Sequence, residues 1–449
     1  MHTSLLHGWF PVSIAGCAFA SLAFGVAWWR RPLWHWLVVA TAAIVAAVVT
    51  ARLVAIESPV LDGYPRSFLF WVALPVFALV AAVWQGSRVA WWRHVVAFGA
   101  VPLLAAFGGL QINAHYQYLP SLNDLFGAPL PGQVAASALE RPLPRLAPHA
   151  RASGHGVRLA QAPAARLSIS GLIVPHTAYI TGLVAQVDIP APRSHFLARA
   201  GFVWVPPWYF THPNEQLPVL MLLAGTPGTP ADWLRAGGAL QTAAAYASDH
   251  HGYAPMMVLP DANGSALGDT ECVNGPAGRS ETYLTVDVPN FMHAHFNAPD
   301  DPRQWAVGGL SEGGTCALHL VARHPDLFRT FADFAGDAIP NLGSISRTIT
   351  LLYGGSYRDF SAHDPARWFP IDARKDVAGY FAVGTGDLSH VAAAEQLATA
   401  AHNNLVPIVL ERIPGGGHNF PTCARALRDA FPWIAQRLDA DGRATTRTA

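Results

Sequence analysis

The stretch QWAVGGLSEGGTCALHLVARHP, residues 304–325, changes its pattern at the middle. The first half is a short apolar run ending in glycine, as expected of a strand covered on both faces. The second half reads as a helix. Between them Gly309-Leu310-Ser311-Glu312-Gly313 fits G-x-S-x-G. A serine on a tight strand-to-helix turn projects its hydroxyl. Small residues two before and two after allow the strained turn and close packing of helix on strand. The helix N-terminus sets the backbone N–H of Glu312 beside that hydroxyl. Without the flanking strand and helix, the motif is a Gly-rich turn with an incidental serine.

The same alternation extends outward. LSISGLIV, LVAQVDI, GFVWVPP, LPVLMLLAG, APMMVLPDA, ITLLYGG, GYFAVGTGD and VPIVLERIPGGG read as strands. ADWLRAGGALQTAAAYASD, HVAAAEQLATAAHN and TCARALRDAFPWIAQRL read as helices. Strands alternating with helices predict an α/β fold with a mostly parallel sheet and helices on both faces. Ligands in such sheets bind beyond the carboxyl ends of the strands.

A nucleophilic serine needs a base, and the base needs an orienting carboxylate. In this type of fold they follow in the order serine, acid, histidine. His418, in Gly415-Gly416-Gly417-His418, ends the last predicted strand and is the base expected. Asp387, after GYFAV, is the first choice for the acid. Asp337, after the strand-like FADFAG, is the second. An oxyanion hole needs a further N–H from the loop Ala224-Gly225-Thr226-Pro227-Gly228. Pro227 has none, so Thr226 is the first choice and Gly228 the second. The segments Asn263–Ser280 and Gly354–Pro370 are expected to shape the acyl pocket.

The N-terminal quarter differs in kind. Only 13% of the 449 residues are charged, and the formal net charge is zero. Neutrality argues against a nucleic-acid partner. Residues 1–113 hold six Arg and two acids, a net of +4, so the remainder carries −4. Four runs of about 20 apolar residues lie in that first part, each long enough to span a bilayer. Trp28, Trp29, Trp34, Trp36, Trp84, Trp91 and Trp92 sit near their ends, as interfacial aromatics do. Arg30-Arg31 and Arg88 with Arg93 mark the first and third connections as cytoplasmic. Both termini then lie outside. The expected organisation is a four-helix anchor (1–113), a Pro/Ala-rich spacer (114–165), the α/β domain (166–440) and a flexible tail (441–449).

Four cysteines exclude a disulfide-dense scaffold. Cys17 lies in the first apolar run. Of the other three, Cys272 and Cys316 are the expected pair, in an exterior that permits oxidation. His250-His251 and His293-Ala294-His295 lack a convincing further ligand set, so neither a metal nor another cofactor is expected. His295, Asp287 and the side chain of Glu312 are read as surface or helix-end groups.

LPVLMLLAGTPGTPADW, SETYLTVDVPNFMHAHF, GGLSEGGTCALHLVARHPDLFRTFADFAG, VGTGD and GGGHNF together resemble the esterase D / mycolyltransferase (antigen 85-like) group of α/β-hydrolases, over roughly residues 165–440. The N-terminal helices resemble those of actinobacterial membrane-anchored members. The resemblance implies a triad of Ser311, Asp387 and His418. It implies a serine ester hydrolase in the cell membrane, its domain extracytoplasmic, acting on small-molecule or lipid esters. Aminoacyl-phosphatidylglycerol-type esters are among these. Acyl or mycolyl transfer in the cell envelope is a second reading, and a non-catalytic membrane scaffold a third. Secreted mycolyltransferases carry a signal peptide instead of four helices, a departure that sets this chain apart from them.

Overall fold

A computed structural model describes residues 3–27, 33–57, 67–84, 90–130, 133–135, 178–367, 369 and 376–439. Within them, nine strands build one mixed sheet. In chain order these are β1 (Val134–Ala135), β2 (Leu183–Val187), β3 (Gly201–Val205), β4 (Val219–Leu223), β5 (Met256–Leu259), β6 (Trp305–Leu310), β7 (Thr330–Phe334), β8 (Ala378–Gly384) and β9 (Ile408–Ile413). Across the sheet they run β1-β2-β3-β5-β4-β6-β7-β8-β9. β3 is antiparallel to both its neighbours, and the other pairs are parallel. The path reverses at β4, which lies between β5 and β6. Leu223 therefore lies beside Gly309, and the loops after β4 and β6 meet at a topological switch point.

The central strands are buried throughout and divide their side chains between two cores. Val219, Met221 and Leu223 of β4 face one; Leu220 and Leu222 face the other. The helix after β6 (Glu312–Arg323) and the helix after β8 (Leu388–Asn403) cover the first face. The C-terminal helix (Phe420–Asp439) covers the second with Cys423, Ala426, Leu427, Ala430, Phe431 and Ile434, an i, i+3, i+4 stripe.

One expected strand is a helix. ITLLYGG lies mostly in the helix Ile345–Tyr353, which Ser344 caps by accepting from the Arg347 amide. Gly354 closes it in the left-handed conformation, as a helix-ending glycine does. Thr348, Leu352 and Tyr353 form its buried side. The apolar residues thus serve a helix face, and a short apolar run carries no period able to separate the two. Residues 136–177, which include the run LSISGLIV, and the tail 440–449 lie outside the described residues.

Among the described residues four long helices precede the sheet: Trp9–Ala27, Leu33–Glu57, Ser67–Trp84 and Trp91–Tyr116. Among the described residues the last two are long and apolar enough to cross a membrane. Among the described residues the first two offer shorter apolar stretches, Trp9–Phe24 and Trp34–Thr50. Small residues let the helices meet, with Ala18, Ala78 and Ala100 packed around Leu104. Their outer faces expose Val12, Leu37, Ile44, Val83, Trp91 and Val95.

The described part of the expected spacer, residues 114–130 and 133–135, packs on the sheet domain. Arg235 donates to the carbonyls of Asp124 and Ala128, both at 2.8 Å. Tyr118 meets Phe420 edge-on with ring centroids 4.9 Å apart. Leu130 enters the second core, and Val134–Ala135 pairs with β2. The chain start is tied to the same segment, with Leu5 N donating to Pro120 O and Leu122 N to Thr3 O, both at 3.0 Å.

Cys272 and Cys316 form a disulfide spanning 44 residues. It ties the loop after β5 to the helix after β6. Replacing both cysteines with serine is expected to lower the unfolding free energy of the full chain by about 2–4 kcal/mol. Chemical denaturation in detergent measures this, and an unchanged transition refutes it.

Candidate active site

The geometry begins at the turn between β6 and the helix that follows. Ser311 sits at φ 58° and ψ −123°, a sparsely populated conformation for a residue with a Cβ. Its amide donates to Phe334 O at 2.9 Å, and its carbonyl accepts from the Gly314 and Thr315 amides at 2.8 and 3.1 Å. The flanking glycines are steric necessities. A Cβ on Gly309 would lie 2.2 Å from Gly313 O, and one on Gly313 would lie 2.5 Å from Leu223 O. Every obstructing atom is backbone, so no rotamer change relieves the clash.

Three loops converge on this serine. His418 follows β9, and its Nε2 lies 3.0 Å from Ser311 Oγ. Its Nδ1 lies 2.7 Å from Asp387 Oδ2. Asp387 follows β8 and is nearly buried. Burial by itself would raise its pKa. Hydrogen bonds from His390 and His418 outweigh that and hold the carboxyl below the ordinary carboxylate range. An ionised Asp387 only accepts, so Nδ1 of His418 carries the proton and Nε2 faces the hydroxyl as an acceptor. Such an arrangement can draw the proton from Ser311 as Oγ attacks a carbonyl.

The residues expected for the oxyanion site divide. The Glu312 amide belongs to a first helical turn, whose N–H groups have no intrahelical acceptor. Gly225 packs against Leu310 O and Ser311 Cβ, which brings the loop carrying Thr226 to the elbow. The Gly228 amide instead donates to Ala266 O at 2.9 Å, so the second choice is already engaged. Asn263 ties the two loops together, donating to Thr226 Oγ1 at 3.0 Å and to Glu312 Oε2 at 2.9 Å.

Two side chains read as surface groups are buried. Glu312 turns inward, and burial together with the charge of Asp269 pushes its carboxyl well above its ordinary pKa. Asp287 accepts from the Arg193 and Ser194 amides at 3.0 and 2.9 Å. Asp337, the alternative acid, lies on the far side of His390, 3.8 Å from its Nε2. His390 and Asn263 escaped sequence reasoning. His390 stands three residues after Asp387, one turn into a helix, and that spacing was the available signal.

Three groups of donors lie close enough to hold an ion among the described residues: Cys272, Glu312 and Cys316; Glu281, His319 and His363; Asp387, His390 and His418. The cysteines of the first are joined to each other. Glu281 of the second accepts from Arg323 and lies 2.8 Å from His324 Nε2, so a cation already holds it. The third is the hydrogen-bonded set described above.

The fold and this site define an α/β-hydrolase. Residues 198–441 match the family model described as putative esterase. That is more than half of the chain, which belongs to this family. An uncharacterised protein of Corynebacterium glutamicum is 35% identical over 266 residues, covering 57% of this chain and 62% of that relative. This chain thus spans about six-tenths of the curated relative's length. In fold it is similar to a ferulic acid esterase, with a TM-score of 0.50 and 18% identity over 57% of this chain and 98% of that one. An S-formylglutathione hydrolase from Agrobacterium tumefaciens gives a TM-score of 0.47 and 18% identity, covering 58% and 96% of the two chains.

Asp333, at the end of β7, offers a test of the buried electrostatics beside the site. Burial pushes its carboxyl up from 3.8 to about 7, although Gly336 N donates to it. The folded chain keeps a proton that the unfolded chain releases as pH rises between those values. Its contribution to stability therefore falls with rising pH up to about 7 and then levels. Asp333→Asn keeps the acceptor and removes the titration. The variant should gain stability relative to the unaltered chain between pH 5 and pH 8, as read by thermal unfolding. A constant difference across that range refutes the assignment.

Proposed function

We propose that this chain is a serine ester hydrolase held at the outer face of the cytoplasmic membrane, drawing its ester substrates from the bilayer. The observation that carries the hydrolase reading is the hydrogen-bonded series Ser311 Oγ, His418 Nε2 and Nδ1, Asp387 Oδ2. His418 takes the Ser311 proton as Oγ adds to the ester carbonyl. Asp387 orients the imidazole and balances the charge it gains. The Glu312 amide, and with it the Thr226 amide, stabilises the oxyanion. His418 then protonates the departing alcohol, leaving an acyl-enzyme. Water, deprotonated by His418, releases the carboxylic acid and restores Ser311.

The membrane part of the reading rests on other observations. The residues before the first helix bond to those after the fourth, as an even number of crossings requires. The first and third connections carry Arg30, Arg31 and Arg88, which favours their placement in the cytoplasm and the hydrolase domain outside. The Cys272–Cys316 disulfide is in keeping with that side. The segment leaving the fourth helix packs on Phe420, two residues past His418. Tyr116, at that helix end, meets Tyr118 with ring centroids 5.9 Å apart, and Tyr118 in turn meets Phe420. A site bordered by the end of a membrane helix suits esters near lipid headgroups, acyl or aminoacyl.

Labelling by a fluorophosphonate probe tests the nucleophile in native membranes. The unaltered chain should label, and Ser311→Ala should not. Hydrolysis of a p-nitrophenyl ester should fall by about 10⁴-fold or more in the variant. Full activity in membrane-inserted Ser311→Ala sinks the mechanism. For the substrate, proteoliposomes containing aminoacyl-phosphatidylglycerol or diacylglycerol should release amino acid or fatty acid. Hydrolysis confined to water-soluble esters overturns the lipid reading alone.

A further inference from the structure

Asp387 has two carboxylate oxygens, and only one serves His418. The other, Oδ1, lies 2.7 Å from Nδ1 of His390. Ser389 Oγ is a longer donor to the same oxygen at 3.4 Å. The His390 ring also stacks on the His418 ring, centroids 4.3 Å apart and planes 23° from parallel. Its far nitrogen, Nε2, lies 3.8 Å from Asp337 Oδ1. Two imidazoles thus clasp one carboxylate, side by side, and the second has a carboxylate of its own behind it.

We infer that His390 is a positioning residue of this site, locking Asp387 through Oδ1 and bracing the His418 ring by stacking. The inference rests on the serine-hydrolase reading. A carboxylate held at one oxygen can rotate about its Cβ–Cγ bond. Held at both, it presents Oδ2 to His418 in one orientation. The stacked ring limits the tilt of His418 in the same way.

The groups facing His390 set its charge. They are Asp387 at the start of its own helix, Asp333 and Asp337 at and beyond the end of β7, and His418 after β9. Burial disfavours the cation, but the hydrogen bond to Asp387 and the charges of Asp387 and Asp337 outweigh it and raise its pKa. A charged His390 repels a proton arriving on the stacked His418. Replacing His390 removes the cation favoured beside the stacked ring, and the acid limb of kcat/KM is then expected to move to higher pH.

Three variants separate these effects. His390→Phe keeps a ring to stack and removes the donor. His390→Asn keeps a donor near the Nδ1 position and removes the ring and the charge. Phe should lower kcat about ten- to a hundredfold with little change in KM, the size of one lost hydrogen bond to a charged group. Asn should restore most of that kcat. In both, the acid limb of kcat/KM should move to higher pH. His390→Ala should combine the kcat loss of Phe with the same shift. Phe matching the unaltered enzyme in kcat and pH profile overturns the inference. Should Phe fail to fold, the Asn profile decides alone, and an acid limb unchanged there is equally fatal. An unaltered chain that takes no fluorophosphonate label instead sinks the hydrolase reading, so the two failures are distinguishable.

Discussion

A serine held at positive φ between a buried strand and a buried helix is the constraint from which the rest follows. That backbone conformation costs about 1–3 kcal/mol for a residue with a side chain. It persists because both ends are bonded in place, the amide to β7 and the carbonyl to the first turn of the helix. The turn leaves no room for side chains at 309 or 313. Those glycines let the helix N-terminus press against β4, and the loop after β4 then reaches the serine. A looser turn would separate the hydroxyl from the amides it needs beside it.

Around that turn, burial and hydrogen bonding compete for each carboxyl, with different winners. Asp387 accepts from two imidazoles and stays ionised despite being nearly buried. Asp333 has one backbone donor, and Glu312 has Asn263 beside the charge of Asp269. In these two burial prevails and the proton is favoured. The result is one firmly anionic group at His418, next to acids that tend towards neutrality. Several buried anions here would repel one another and compete with Asp387 for the charge on His418.

The helical block and the hydrolase domain are joined by more than a tether. Arg235 reaches the carbonyls of Asp124 and Ala128, Tyr118 lies on Phe420, and Leu130 fills the second core. Phe420 opens the C-terminal helix two residues after His418. The contact that docks the block is therefore continuous with the loop that presents His418.

Much of this was legible in order and spacing. The glycines around Ser311 are local steric requirements, and they mark the turn wherever the chain folds. The alternation of short apolar runs with helical stretches named the sheet, because a strand covered on both faces must be apolar throughout. It misread Ile345–Tyr353, where the same apolar residues line one side of a helix. Ser311, Asp387 and His418 were named from their places after strands, yet Asp337 met that criterion too. Which acid meets His418 depends on the lateral order β7-β8-β9, a property of sheet assembly. The same holds for His390, for the inward turn of Glu312 and for the docking of residues 117–130. Each is a contact between segments far apart in the chain. Sequence alone determined the turn, the strands and the candidate chemistry, since these depend on neighbours a few residues away. Tertiary structure decided which carboxylate faces which imidazole, because only packing brings those segments within hydrogen-bonding distance.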